Sequence, residues 1–213
     1  MYTLYSIIMF LLIPFVILRL WWKGRFEPWY RERISERFCL ATVKPCKVDI
    51  WVHAVSLGEL IAATPLVDSF LKKGFTVLIT TMTPSGSQRV NSYFNDKVLH
   101  QYIPYELPWV INRFFKLYTP KLGLIMETEL WPNLLKGAEK FNIPLFLING
   151  RLSQKSFKGY LAIKPLIKRV LGQFTTLLVQ TSEDKQRFVK LGAKENNLPK
   201  DYIKHISKIK TSK

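Results

Sequence analysis

The 213-residue chain is 48% hydrophobic and 22% charged, which excludes a disordered chain and leaves enough apolar material for about one large domain. Lys and Arg number 32 against 15 acidic residues, a formal charge of +17 that calls for an anionic partner: nucleic acid, an anionic membrane surface or a phosphorylated substrate. Two cysteines (Cys39, Cys46) and three scattered histidines (His53, His100, His205) exclude a disulfide scaffold, a four-cysteine zinc site and a closely spaced His pair. A metal-dependent mechanism is not expected, and the cysteines read as reduced thiols of a cytosolic domain.

The chain opens on an apolar stretch with no charge from Met1 to Leu18. Twelve Leu, Ile, Val or Phe residues lie between Leu4 and Leu20. At ~0.3–0.6 kcal/mol each they favour membrane insertion by roughly 4–7 kcal/mol before polar costs. Arg19 can snorkel, and Trp21 and Trp22 follow as interface anchors would. Basic residues then come on one side only: Arg19, Lys23, Arg25, Arg31, Arg33 and Arg37. Residues 1–22 are therefore expected to be a transmembrane anchor with the charged side in the cytoplasm and the N-terminus outside. A cleavable signal peptide needs basic residues before the apolar run, the reverse of this order. A buried or monotopic helix is the alternative, because the stretch is only just long enough to span. Residues 23–47 read as a basic amphipathic juxtamembrane segment. Within it, 23–38 suits a helix at headgroup level, with a solvated charged linker as the alternative.

From residue 48 short apolar runs alternate with amphipathic stretches. Strands are expected at Val48–Val52, Phe75–Thr80, Val98–Ile103, Leu122–Met126, Pro144–Ile148 and Thr175–Val179. Helices are expected near 59–72, 85–94, 107–117, 131–141, 155–171 and 182–191. Six strand–helix units make an α/β fold with a parallel sheet over residues 48–193. Ligands of such sheets bind outside the C-terminal strand ends, so the loops there are the place to look. Those loops are HAVSLGE (His53–Glu59), TTMTPSGS (Thr80–Ser87), PYELP (Pro104–Pro108), METELWPN (Met126–Asn133) and NGRLS (Asn149–Ser153). A G-x-G fingerprint, a Walker A loop and a G-x-S-x-G elbow are absent from the sequence.

Two readings of Glu59 stand side by side. Ser56-x-x-Glu59 is a capping box. A carboxylate in a first helical turn is also stabilised as an anion, so it is expected to be ionised near neutral pH and to act as a general base. Thr83, Ser85, Gly86 and Ser87 put hydroxyls and a glycine at another helix start, suited to phosphate or carboxylate or simply to capping. Glu127 and Glu129 point to opposite sides if the strand persists through them. Arg151 is a candidate anion contact.

At these loops the chain resembles the N-terminal half of the 3-deoxy-D-manno-octulosonic acid (Kdo) transferases. The matching segments are RLWWKGR (Arg19–Arg25), HAVSLGE, TTMTPSGSQRV, PYELP, LIMETELWPN, NGRLS and QTSEDKQRFVKLGAK (Gln180–Lys194), in the family's order and spacing. The resemblance implies an inverting GT-B glycosyltransferase at the inner membrane, moving Kdo from CMP-Kdo to a lipid A precursor. It implies no cofactor and no nucleic acid; the aromatic residues show no stacking motif either. It further implies Glu59 as proton acceptor, Glu127 as transition-state stabiliser, and Ser56, Gly58, Thr83, Ser85, Gly86, Ser87 and Arg151 around the substrate. The family continues beyond GAK with a G-x-x-K-F-D segment and a donor domain. Here residues 194–213 carry six lysines and no strand-like run. They are expected to be an aberrant tail, the donor domain to be missing, and the fragment to be inactive. The competing class is a non-catalytic, membrane-anchored basic domain that binds acidic glycolipid.

Overall fold

The computed structural model describes residues 2–40 and 45–199. Helix α1 (Tyr2–Lys23) comes first, followed by a 3-10 turn at Pro28–Tyr30 and the one-turn helix α2 (Ile34–Arg37). Six strands follow: β1 (Ile50–His53), β2 (Val77–Thr81), β3 (Leu99–Tyr102), β4 (Leu122–Met126), β5 (Leu145–Gly150) and β6 (Thr176–Val179). Between and after them run α3 (Leu57–Lys72), α4 (Pro84–Phe94), α5 (Pro108–Tyr118), α6 (Pro132–Lys140), α7 (Gln154–Ala162), α8 (Lys164–Leu171) and α9 (Ser182–Leu191).

All neighbouring strands pair in parallel, in the order β3-β2-β1-β4-β5-β6. The sheet is covered on both faces, as its continuously apolar strands require. One core layer gathers Trp51, Leu78, Phe114, Phe115 and Ile125 against α5, α6 and α8. The other gathers Val52, Leu60, Val67, Phe70 and Ile79 under α3 and α4. The chain leaves β1 toward β2 and β3 on one side, and leaves β4 toward β5 and β6 on the other. The crevice where ligands bind in such sheets opens at that reversal, between β1 and β4.

Two expected helices are corrected. The single helix expected over 155–171 is two, α7 and α8, parted at Ile163 with φ −119° and ψ 28°. Pro165 explains the break: it has no N–H to donate and crowds the residue before it. The amphipathic helix expected over 23–38 is not formed either. Arg33 has φ +55° and Cys39 φ +52°, which confines helix to the single turn Ile34–Arg37. This turn packs on edge strand β3, where the Glu36 carboxylate accepts the Tyr102 backbone N–H at 3.2 Å. Arg37 is 2% exposed, donates to the Met82 carbonyl and stacks over the Tyr102 ring at 4.0 Å. The segment thus caps an edge that would otherwise expose unpaired strand groups, and is no solvated linker.

The domain also continues past residue 193, the boundary expected from the sequence. Leu198 is buried in the core, its carbonyl accepts from Lys185 at 3.0 Å, and Asn197 donates to the Phe174 carbonyl. Of the tail expected at 194–213, residues 200–213 lie outside the described residues.

Gly123 in central strand β4 lets the sheet and Trp51 close up. A Cβ there would lie 2.5 Å from Leu145 Cδ2 and 2.8 Å from Trp51 Cε3. Gly123→Ala is expected to destabilise the domain by about 1–3 kcal/mol, read as a lowered urea midpoint. An unchanged midpoint would show that Trp51 and Leu145 have room to move.

Candidate active site

The loop after β1 runs Ala54–Ser56 into α3. Ser56 is the N-cap of α3, with its hydroxyl oxygen accepting the Glu59 backbone N–H at 3.3 Å. The same hydroxyl donates to the Glu59 carboxylate at 2.8 Å, and the Val55 backbone N–H donates to its other oxygen at 2.7 Å. The capping box is therefore formed, with Glu59 8% exposed at the crevice between β1 and β4. Its ionisation departs from the expectation in one respect. Burial pushes its carboxyl above the ordinary glutamate value, the Val55 and Ser56 donors pull it back, and the Glu127 charge adds to the rise. A carboxylate moved upward in this way is a stronger base than a solvated one. Gly58 lies exposed, with open space above it: a Cβ there would meet only Ser56 Oγ, at 3.9 Å.

The loop after β4 approaches from the other side of the crevice. Glu127 has φ +54°, in the left-handed region that a side chain seldom adopts, while its N–H donates to the Ile148 carbonyl at 2.8 Å. The strand therefore stops at Met126, and the alternation that would send Glu127 and Glu129 to opposite faces does not operate. Burial pushes Glu129 up to about 7, and the Glu59 and Glu127 charges add to this against hydrogen-bond donation from the Trp131 indole N–H. Three carboxyl groups thus feel one another across the switch point.

The neighbouring loops are tied into the same rim. Thr83 caps α4, accepting from Gly86 N at 3.2 Å, and its hydroxyl reaches the Val55 carbonyl at 3.4 Å. Ser85 is exposed and donates to Thr83 Oγ1. Gly86 sits tightly, since a Cβ would come 3.3 Å from Thr81 Cβ. Ser87 turns elsewhere: it is buried and accepts from Arg33 at 2.8 Å. Arg151 is exposed, its backbone clasped by the Thr128 hydroxyl, which joins the loops after β4 and β5.

Three residues of the rim escaped the sequence reading. His53 is wholly buried at the end of β1, and burial pushes it down to about 4, so it is neutral at physiological pH. Its Nδ1 lies 3.0 Å from Thr80 Oγ1, and its ring meets the Trp131 ring edge-on at 5.6 Å. Glu106, within PYELP, is buried and pushed up to about 7 by burial, while the Asn133 and Leu134 N–H groups at the start of α6 donate to it. Trp131 itself links His53 to Glu129. Only the spacing of aromatic and acidic residues in METELWP signalled it. Beside this rim, a cavity of about 390 Å³ opens between α1 and the loop after β4, walled by Tyr5, Met9 and Ile13 on one side and by Glu129, Trp131 and Tyr160 on the other. Among the described residues, no group of three or more His, Cys, Asp or Glu side chains is disposed to hold a metal ion.

A six-stranded parallel sheet with an acidic rim at its switch point is a Rossmann-like, GT-B-type domain. A crystal structure of UDP-N-acetylglucosamine 2-epimerase shares the fold, with TM-score 0.52 and 14% identity over 73% of this chain and 47% of that one. The Neisseria meningitidis UDP-GlcNAc 2-epimerase has TM-score 0.50 at 14% identity, over 71% of this chain and 45% of its own. The family model of 3-deoxy-D-manno-octulosonic-acid transferase (kdotransferase) matches residues 32–202, and the chain belongs to that family of glycosyltransferases. The 3-deoxy-D-manno-octulosonic acid transferase of Haemophilus influenzae is 39% identical over 176 residues, 81% of this chain and 41% of its own length. A probable mitochondrial 3-deoxy-D-manno-octulosonic acid transferase of Arabidopsis thaliana is 36% identical, over 83% of this chain and 40% of its own. The Bordetella pertussis enzyme is 33% identical, over 85% and 45%. The chain thus spans less than half the length of these relatives.

Ser56→Ala removes both the N-cap acceptor and a donor to Glu59. It is expected to cost about 1 kcal/mol of stability, measured by denaturant titration of Trp fluorescence. No loss would mean that Val55 alone holds the Glu59 carboxylate.

Proposed function

We propose that these residues form the acceptor side of an inverting Kdo transferase, with CMP-Kdo as donor and a lipid A precursor as acceptor. The observation that carries the proposal is the buried Glu59 carboxylate at the switch point, held by two donors and raised by burial and by Glu127. In this reading Glu59 accepts the proton of an acceptor hydroxyl. The oxygen so freed attacks the anomeric carbon of Kdo from the face opposite the phosphate, and CMP leaves with inversion. Only one oxygen of Glu59 can take that proton at a time; Val55 N–H and Ser56 Oγ keep the group aimed meanwhile.

Glu127 is assigned to stabilise positive charge developing on the Kdo ring in the transition state, a role that suits an anion fixed by a strained backbone. The hydroxyls of Ser56, Thr83 and Ser85, with Gly58, Gly86 and Arg151, are assigned to the substrate. Ser87 is buried against Arg33 and is assigned no substrate contact. The cavity beside Glu129 supports a lipid acceptor, since one of its walls is the apolar helix α1. The net charge of +17 supports a phosphorylated glycolipid on an anionic membrane. The membrane is taken to be the bacterial inner membrane, with the domain on its cytoplasmic side.

The test is a chimera that joins residues 1–199 to the C-terminal half of the Haemophilus influenzae relative. Glu59→Gln in that chimera keeps the capping geometry but cannot take a proton. Transfer of Kdo to a lipid A precursor is expected to fall about 10²–10⁴-fold with the fold intact. Activity within twofold of the parent would leave Glu59 as a helix cap only. Residues 1–213 by themselves are expected to show no turnover, because positioning of the donor contributes about 7–11 kcal/mol of barrier lowering and these residues span less than half the length of the relatives. Turnover by them above the blank would place a donor site within this half.

A further inference from the structure

Helix α1 does not stand away from the domain. One stripe of it, Tyr2, Tyr5, Met9, Ile13, Val16 and Leu20, faces the domain at spacings of three and four residues. The polar members of this face are hydrogen-bonded to the domain: Tyr2 to Gln173 at 3.2 Å, Tyr5 to the buried Glu106 at 2.9 Å, and Ser6 to Asn133 at 3.0 Å. The Lys136 ammonium sits over the Tyr2 ring at 5.0 Å. The opposite arc, with Leu4, Phe10, Leu11, Phe15, Leu18 and Trp22, is more than half exposed at every position.

The docked stripe from Tyr2 to Leu20 is roughly 27 Å long at ~1.5 Å per residue. That is close to the ~30 Å of a bilayer's hydrocarbon core. If α1 crossed a membrane in this pose, the domain surface beside its N-terminal half would have to cross with it. Lys136, Glu139 and Gln173 would then lie in hydrocarbon or beyond it, and polar surface of that kind is not tolerated there. An in-plane helix meets no such conflict. Its apolar arc enters one leaflet while the domain takes the place of the polar face that an isolated interfacial helix needs.

The flanking residues fit the same plane. Trp21, Trp22 and Trp29 are exposed, and the Arg31 guanidinium lies 4.4 Å from the Trp21 ring while donating to the Trp21 carbonyl. Such aromatic and cationic pairs belong at the level of anionic headgroups. We propose that α1 is a docked, in-plane anchor whose exposed apolar arc inserts into a single leaflet, so that both ends of the helix and the domain stay on one side of the bilayer. This surface stands apart from the chemistry assigned to Glu59, and its partner is the lipid leaflet itself.

Membrane-impermeant maleimide labelling in bacterial membranes tests the arrangement. In a Cys39→Ala, Cys46→Ser background, Thr3→Cys reports the start of α1, where Thr3 lines a cleft with Asn112 and Lys140. Lys155→Cys, exposed on α7, reports the domain. Both are expected to label from the same side, in inside-out vesicles and not in intact spheroplasts. Labelling of the two from opposite sides overturns the proposal, and so does a Thr3→Cys that labels only after detergent. Docking has its own readout: Ser6→Cys with Asn133→Cys is expected to crosslink in intact membranes under mild oxidation, and the absence of a crosslink would also contradict the arrangement.

Discussion

A carboxylate can be buried only where donors replace the water it gives up, and this domain supplies them to Glu59 at the first turn of α3. Val55 N–H and Ser56 Oγ hold the two oxygens, and the backbone that presents them is fixed by β1 in the middle of the sheet. The pairing of β1 with β4 then decides what else can approach. It brings the left-handed turn at Glu127 and the Trp131–Glu129 pair to the same crevice, so that burial, with the neighbouring carboxylate charge added, moves the Glu59 and Glu129 carboxyl groups upward. Stability and the proposed reactivity share a cause here: the contacts that cap α3 also hold the carboxylate proposed as the base.

The periphery serves the same centre. Glu106 joins three elements, accepting from the start of α6 and from Tyr5 of α1. The loop after β4 is thereby held between the sheet and α1. On the far edge, Arg37, Arg33 and Glu36 cover β3, and Arg33 reaches Ser87 at the start of α4. A segment that by composition looks like a charged linker is in fact the clasp between α1 and the sheet.

The sheet was legible because both-face burial forces long apolar runs, and each run from Ile50 to Val179 coincides with a strand. The loops were legible because a parallel sheet sends all its C-terminal ends to one edge, whatever its details. What pattern could not reveal depends on contacts distant in the chain. Arg37 looks like one more surface cation, yet it is buried by Met82 and Tyr102, which lie more than forty residues away. Glu106 looks like an ordinary loop acid until α6 is seen to start against it. The direction in which Glu59 is shifted was missed because helix position alone favours the anion, whereas burial beneath the rim opposes it and is the larger effect. The break at Ile163 was in the sequence as Pro165, but the continuous amphipathic pattern on either side concealed it.

A base at Glu59, as proposed, has its proton affinity set by its neighbours, and the acid limb of the kcat/KM profile measures that affinity. In the chimera with the Haemophilus influenzae C-terminal half, the parent limb is expected above the pH at which a solvated glutamate would titrate, because burial and Glu127 raise the Glu59 carboxyl. Glu127→Gln removes one of the two causes. Whatever it does to the maximal rate, it should move the limb to lower pH, since a base with less negative charge beside it holds its proton less tightly. A limb that stays in place when Glu127 is neutralised, and persists in Glu59→Gln, would contradict the assignment and locate the titrating base elsewhere.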